Sequence, residues 1–474
     1  MPTSSFADLL HSIAARGRAI LNRAQRSDNR SSSKSLLDLC EELLSRRGEA
    51  SGVALARDVL SHFCLLTSDA RLAFFEALAS RFGPNDERLT AAVDGWRQDP
   101  TAKATVELSA AVEPRRQELF RRLNLAPGGT AMLVEMRRQL IPFAKGRADL
   151  AAIDADFVHL FSSWFNRGFL LMRRIDWSTS ASILEKVLRY EAVHAIDSWD
   201  DLRGRIEPSD RRCYAFFHPA LVDDPLIFVE VALTRGTPEV IGPILAKERT
   251  ILSPEKANTA VFYSISNCQR GLAGISFGHF LIKQVAEEIS REHPDLSTFV
   301  TLSPMPGFAR WLAREREAVG FTSLDAHDRT TLQALDTPDW PANPVLQQTL
   351  REPLLRAAAI YLVSARGETG APLDPVARFH LGNGAQLKRV NWLADTLSKG
   401  LSESHGLMAN YLYDLGNIER NHEEYVENHT VLASNSVRRL ARASPPSKVV
   451  PRPSDEDVPP VRPTPRDGTW PAEP

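Results

Sequence analysis

Two residues stand out for the backbone around them: Ser303 in Leu302-Ser303-Pro304-Met305-Pro306-Gly307-Phe308, and His380 in Phe379-His380-Leu381-Gly382-Asn383-Gly384. Two prolines and a glycine fix the chain just past a predicted strand end, so the Ser303 hydroxyl has a preset direction. Preorganised donors of this kind stabilise charge as it develops in a transition state. The competing role for Ser303 is to cap the helix predicted over residues 308–317 or to start a turn. His380 follows a short apolar segment within a glycine-punctuated loop over residues 377–385, which opens into a helix predicted over residues 386–401. An imidazole with an ordinary pKa of about 6.5 gives or takes a proton near neutrality. A core histidine is the alternative.

A third feature is the loop Gln269-Arg270-Gly271-Leu272-Ala273-Gly274, between a strand over residues 261–267 and an amphipathic helix over residues 275–292. Gly271 and Gly274 permit positive φ and close backbone approach. The N–H groups of residues 271–278 could therefore cradle a pyrophosphate, with the partial positive charge of a helix start beside it. A glycine-bearing corner with no ligand is the bland alternative. The loop is neither a P-loop nor a GxGxxG fingerprint, which weighs against ATP hydrolysis and hydride transfer. A pyrophosphate cradle beside a preset hydroxyl points to an enzyme acting on a nucleotide-bearing thioester. His218 and His279 lack a partner at metal-ligand spacing, so no metal site is expected. Asp223-Asp224-Pro225 reads as a turn. Residues 408–414, with Asn410, Tyr411 and Tyr413, line a pocket or pack in the core.

The elements that must hold these groups fall into three parts. Residues 1–172 read as helical, with apolar residues at three- and four-residue spacing and breaks at Pro84-Asn85 and Pro127-Gly128-Gly129. An aromatic-rich helix is predicted after Asp154 and Asp156, running on to about residue 175 and packing between domains. Residues 173–442 alternate short β-branched and aromatic segments with helices, an α/β domain with a mixed sheet. Pro353 marks a kink or break in a helix over residues 346–364. Residues 443–474 are Pro-rich and too poor in apolar residues to build a core. The whole is an α+β chain whose helical half gathers no chemistry and reads as a packing or oligomerisation layer.

Composition narrows the function further. The 474 residues are 43% hydrophobic and 24% charged, with a formal net charge of −2, which gives no basic footprint for nucleic acid. Cys40, Cys64, Cys213 and Cys268 are scattered without a CxxC pair, which fits a reducing compartment. No run of apolar residues is long enough to span a membrane. The first 26 residues are amphipathic and poor in acid, as a transit peptide is, but read more simply as the first helix of the helical half. A cytoplasmic location is the expectation.

The ordered blocks HAIDSWDDLRGRI, RRCYAFFHP, YSIS, GLAGISFGHFLIKQV, LSPMPGF, FHLGNGAQLKRVNWLAD and GLMANYLY resemble the malonyl-CoA decarboxylase family over roughly residues 170–440, and residues 1–170 resemble its helical domain more weakly. The resemblance implies a helical oligomerisation domain joined to a catalytic domain with the fold of the GNAT-type N-acetyltransferases. It implies conversion of malonyl-CoA to acetyl-CoA and carbon dioxide, without metal or organic cofactor, by a homotetramer built as a dimer of dimers. The family's catalytic serine and histidine fall on Ser303 and His380. Its pyrophosphate loop falls on Ala273, Gly274, Ile275, Ser276, Phe277, Gly278 and His279. Ser264, Asn383 and Tyr413 are weaker pocket positions. Ser276 stands where some relatives have an acidic residue, and Pro219 where some have a cysteine, so disulfide control between subunits is not expected. An acyl-CoA-dependent N-acyltransferase on the same fold is the alternative.

Overall fold

The protein is described by a computed structural model over residues 35–45, 48–275, 281–318 and 323–442. The amphipathic N-terminal stretch and the Pro-rich tail lie outside the described residues, as do Ser276, Phe277, Gly278 and His279 of the predicted cradle. The chain begins with successive helices, from Leu36–Ser45 to Ala148–Trp164. In the helix Ser68–Arg81 the three- and four-residue apolar spacing of the sequence becomes a buried stripe of Phe74, Phe75 and Leu78. Phe120 and Phe157 stack across two helices at 4.2 Å between ring centroids. The predicted break at Pro84-Asn85 is a helix start, where the Asn85 side chain accepts from the Arg88 N–H.

Among the described residues seven strands follow: β1 Leu171–Ile175, β2 Arg211–Phe217, β3 Pro225–Thr234, β4 Thr259–Asn267, β5 Thr298–Thr301, β6 Gln386–Asn391 and β7 Met408–Leu412. They form one mixed sheet in the order β1-β2-β3-β4-β5-β7-β6. Every neighbouring pair is antiparallel except β4–β5. β2, β3 and β4 are buried along nearly their whole length, on both faces, which is why they read as continuous apolar runs instead of alternating ones. A helical N-terminal region followed by a domain built on one mixed sheet is the α+β arrangement the sequence led us to expect.

Two predicted helices are corrected. The aromatic helix spans Ala148–Trp164, so Asp154 and Asp156 lie within it, and residues 171–175 leave it to become β1. There the antiparallel pairing of Leu171–Ile175 with Phe217–Cys213 overrides local propensity. The segment from residue 386 likewise opens as β6 and not as a helix, because it pairs with β7. Pro353 neither breaks nor ends its helix, which runs continuously over Pro344–Val363. Asp223, at φ 51°, forms the expected turn between β2 and β3.

The site depends on one irregularity. Opposite β3, the pairing of β4 steps from Ser264 to Phe262 and leaves Tyr263 as the extra residue of a bulge. A bulge bends its strand and sharpens its twist. β4 keeps its parallel partnership with β5 only over Thr259–Phe262. Beyond that point Pro304 and Pro306 have no N–H to give, so β5 cannot continue. The two strands part, and the space between them is the site.

Candidate active site

Ser303 sits where β5 ends, held on both sides by backbone bonds: its N–H donates to Ala409 O at 2.9 Å and its carbonyl accepts from Ala409 N–H at 2.8 Å. The side chain is thereby fixed at the mouth of the opening. Its Oγ lies 2.8 Å from Thr301 Oγ1 and 2.9 Å from His380 Nε2. The serine does not cap the following helix, whose N-cap is Gly307.

His380 arrives from the opposite side, in the last turn of the helix Pro375–Gly382 and not in a loop. This helix has a complete start signal: Asp374 accepts from the Ala377 N–H at 2.8 Å and from the Tyr361 hydroxyl at 3.1 Å, with Pro375 in the first position. The other ring nitrogen, Nδ1, is 2.9 Å from the Tyr413 hydroxyl. Tyr411 stacks on the imidazole at 4.6 Å. Burial alone pushes the His380 pKa down to about 3, so the ring is neutral at physiological pH. A neutral imidazole has one N–H. With the Tyr413 O–H donating to Nδ1, that N–H is on Nε2 and donates to Ser303, whose own hydrogen goes to Thr301. The result is a directed relay, Tyr413 to His380 to Ser303 to Thr301.

Two cavities meet here. One, of about 240 Å³, is lined by Val193, Phe262, Tyr263, Ile265, Asn267, Ser303, Pro304, Pro375, Val376, Phe379 and His380. No Lys, Arg, Asp or Glu is among those lining residues. The other, of about 360 Å³, is bounded by the loop residues Arg270, Leu272, Ala273, Gly274 and Ile275 and by Arg378, Phe379 and Asn383. Phe379 and Asn267 belong to both. The two cavities adjoin at Asn267 and Phe379; Arg270 and Arg378 flank the larger, and the smaller carries the Ser303–His380 pair.

The two loop glycines do different things. Gly274 is at φ +78° in open space, so its role is conformational. Gly271 is where backbones touch: a Cβ there would lie 2.0 Å from Val134 O, in the helix Gly129–Ala144 of the N-terminal half. Among the weaker positions, Tyr413 joins the relay and Asn383 lines the larger cavity, while Ser264 donates to the Glu191 carboxylate at 2.7 and 2.8 Å and lines neither. Among the described residues no three His, Cys, Asp or Glu side chains gather as a metal site requires, and all four cysteines are free thiols. No helix of the described residues is long and apolar enough to cross a membrane.

Residues 168–450 match the description "Malonyl-CoA decarboxylase C-terminal domain", and residues 82–165 match "Malonyl-CoA decarboxylase N-terminal domain". The chain belongs to the malonyl-CoA decarboxylase family. The crystal structure of malonyl-CoA decarboxylase from Rhodopseudomonas palustris is 58% identical, covers 85% of this chain and 98% of its own, and superposes with a TM-score of 0.83. The Agrobacterium vitis structure is 52% identical, with coverages of 86% and 99% and a TM-score of 0.81. The mitochondrial malonyl-CoA decarboxylase of Anser anser anser is 35% identical over 68% of this chain and 69% of its own. As a member of the malonyl-CoA decarboxylase family the chain is an enzyme, a carboxy-lyase.

Sequence reasoning missed Thr301, Asn267 and Phe379. Thr301 was within reach, because alternation along a strand puts residues i and i+2 on one face, and Ser303 already marked that face. The other two depend on packing between distant segments, and no local pattern signals them.

Proposed function

We propose that this carboxy-lyase converts malonyl-CoA to acetyl-CoA and carbon dioxide, with Ser303, His380 and Tyr413 as its working groups. The observation that carries the reading is the 2.9 Å contact between Ser303 Oγ and His380 Nε2 in the lining of a pocket without charged residues, in a chain of this family.

Breaking the bond to the carboxyl carbon sends its electron pair into the thioester, as an enolate, while neutral carbon dioxide departs. A carboxylate held in a pocket lined by Val193, Ile265, Pro304 and Val376, without a cation, loses hydration that its neutral product does not need. Ser303, freed from Thr301, donates to the thioester oxygen as charge arrives there, a contribution of about 10²–10³ in rate for one such donor. His380 then gives its Nε2 proton to the enolate carbon, a step to which a positioned acid adds about 10²–10⁴. Carbon of this kind is far more basic than an imidazole nitrogen, so a neutral ring suffices as the acid, as in other enolate-forming enzymes. Tyr413 passes its hydroxyl proton to Nδ1 in concert, and solvent restores it. The CoA diphosphate rests against the backbone from Ala273 to Ile275, with Arg270 and Arg378 on the cavity wall nearby. Assembly as a homotetramer and a cytoplasmic location belong to the same proposal.

The test is direct. Purified protein, treated with chelator and given malonyl-CoA alone, releases acetyl-CoA and carbon dioxide in equal amounts. Failure to consume malonyl-CoA without an acceptor amine would set the reading aside.

A further inference from the structure

The glycine loop is held from behind by the N-terminal half of the molecule. Arg137, on the helix Gly129–Ala144, is buried, with 3% of its surface exposed. Its Nη1 donates to two loop carbonyls, Gly271 O and Ala273 O, at 2.8 Å each. Its Nε donates to Asp154 at 2.8 Å, on the helix Ala148–Trp164, and this ion pair fixes the guanidinium plane. The absent Cβ of Gly271 lets the loop lie directly on the Val134 carbonyl.

The geometry of the peptide unit turns this anchorage into a functional statement. Among the described residues the peptide bonds are all trans, so the carbonyl of one residue and the N–H of the next point in opposite directions. With the Ala273 carbonyl on Arg137, the Gly274 N–H faces away from the helix Gly129–Ala144. On that side lies the 360 Å³ cavity, which Gly274 lines and to which this helix contributes no residue. Among the described residues the Gly274 N–H has no backbone acceptor, whereas those of Leu272, Ala273 and Ile275 are all satisfied within the loop. Gly274 supplies the positive φ that this arrangement needs.

We infer that Arg137 is a positioning residue for CoA binding: by capturing two carbonyls on one side of the loop, it aims the Gly274 N–H at the diphosphate on the other. The inference rests on the proposed function for the identity of the ligand. It gives the helical half a share in the substrate site, beyond packing or assembly. Asp154 is the second member of the device, holding the guanidinium in register.

Two substrates separate this role from a general structural one. Malonyl-CoA carries the diphosphate; the malonyl thioester of N-acetylcysteamine keeps the reacting end and lacks it. In Arg137→Met, KM for malonyl-CoA and the Kd for CoA by calorimetry rise about tenfold or more, the size expected from losing a charged hydrogen-bond donor. Meanwhile kcat, and kcat/KM for the truncated thioester, stay within about twofold of wild type. Arg137→Lys recovers part of the CoA affinity, since an ammonium reaches the same carbonyls without the fixed plane. Should Arg137→Met not fold, Asp154→Asn keeps the guanidinium and gives the same substrate-selective rise at smaller size. Equal losses on both substrates, or unchanged CoA affinity in both Arg137→Met and Asp154→Asn, overturn the inference. Wild-type protein that binds CoA no better than pantetheine overturns instead the functional reading beneath it.

Discussion

In the proposed mechanism the chemistry turns on the protonation state of one ring. His380 is 2% exposed, and its pKa is pushed down to about 3 by burial, so between pH 5 and 8 the free enzyme holds it neutral. We therefore expect kcat/KM for malonyl-CoA to show no limb belonging to this histidine in that interval. A profile that falls through pH 6.5 and loses that fall in His380→Asn would contradict a neutral acid. In that mechanism the Tyr413 hydroxyl, 2.9 Å from Nδ1, donates to it and leaves the ring hydrogen on Nε2. Removing its hydroxyl in Tyr413→Phe leaves a buried imidazole nitrogen without a partner, worth about 1–3 kcal/mol. The expected result is a kcat lower by about tenfold, with little change in KM. Much of this pair was legible in the sequence. Pro304, Pro306 and Gly307 marked Ser303 as preset, and a glycine-punctuated loop next to a predicted helix start marked His380 as unusual. The relay beyond them was not legible, because Tyr413 and Thr301 are brought together only by the pairing around β5 and β7.

At the scale of elements, the short helix Pro375–Gly382 and the bulge in β4 carry the geometry. The helix is pinned at its start by Asp374, which is fully buried and bonded to Ala377 and Tyr361. Asp374→Ala is expected to cost about 0.5–2 kcal/mol of stability, seen as a lower Tm, and to reduce kcat more than it raises KM. Unchanged kcat would mean that the helix does not need its cap to place His380. Here the sequence held more than was read from it: Asp374-Pro375 is an ordinary start signal for a helix, passed over in favour of the glycines that follow. The opposite error befell residues 386–391. Gln, Leu, Lys and Arg favour a helix locally, and only the pairing with β7 makes the segment a strand. The bulge at Tyr263 left no local mark, since its cause lies in how β3 and β4 register against each other.

For the whole molecule, buried titratable groups set the stability profile. His194 and His405 are held down to about 4 and His380 to about 3, chiefly by burial, below the ordinary 6.5 they regain on unfolding. The unfolded chain then binds more protons, so the stability these three contribute is complete above pH 6.5 and is lost as pH falls toward 4. Glu230 runs the other way. Burial and the neighbouring Glu191 raise it to about 8, so its contribution is present below about pH 4.5 and is lost as pH rises through 8. Each group tilts stability by about 1.4 kcal/mol per pH unit within its own window. The histidines prevail below pH 6.5 and the carboxyl above it, which places the highest Tm near pH 6.5. Glu230→Gln should flatten the alkaline side, and a Tm that climbs steadily to pH 8 in the wild type would refute this balance. The measurement closest to the centre of the account is turnover of malonyl-CoA by Ser303→Ala, His380→Asn and the double variant, with CoA affinity measured in parallel. The expected result is a kcat at least about a hundredfold lower in each single variant, a double variant hardly worse than the poorer single one, and CoA bound as tightly as before. Turnover near the wild-type rate in either single variant would contradict the account.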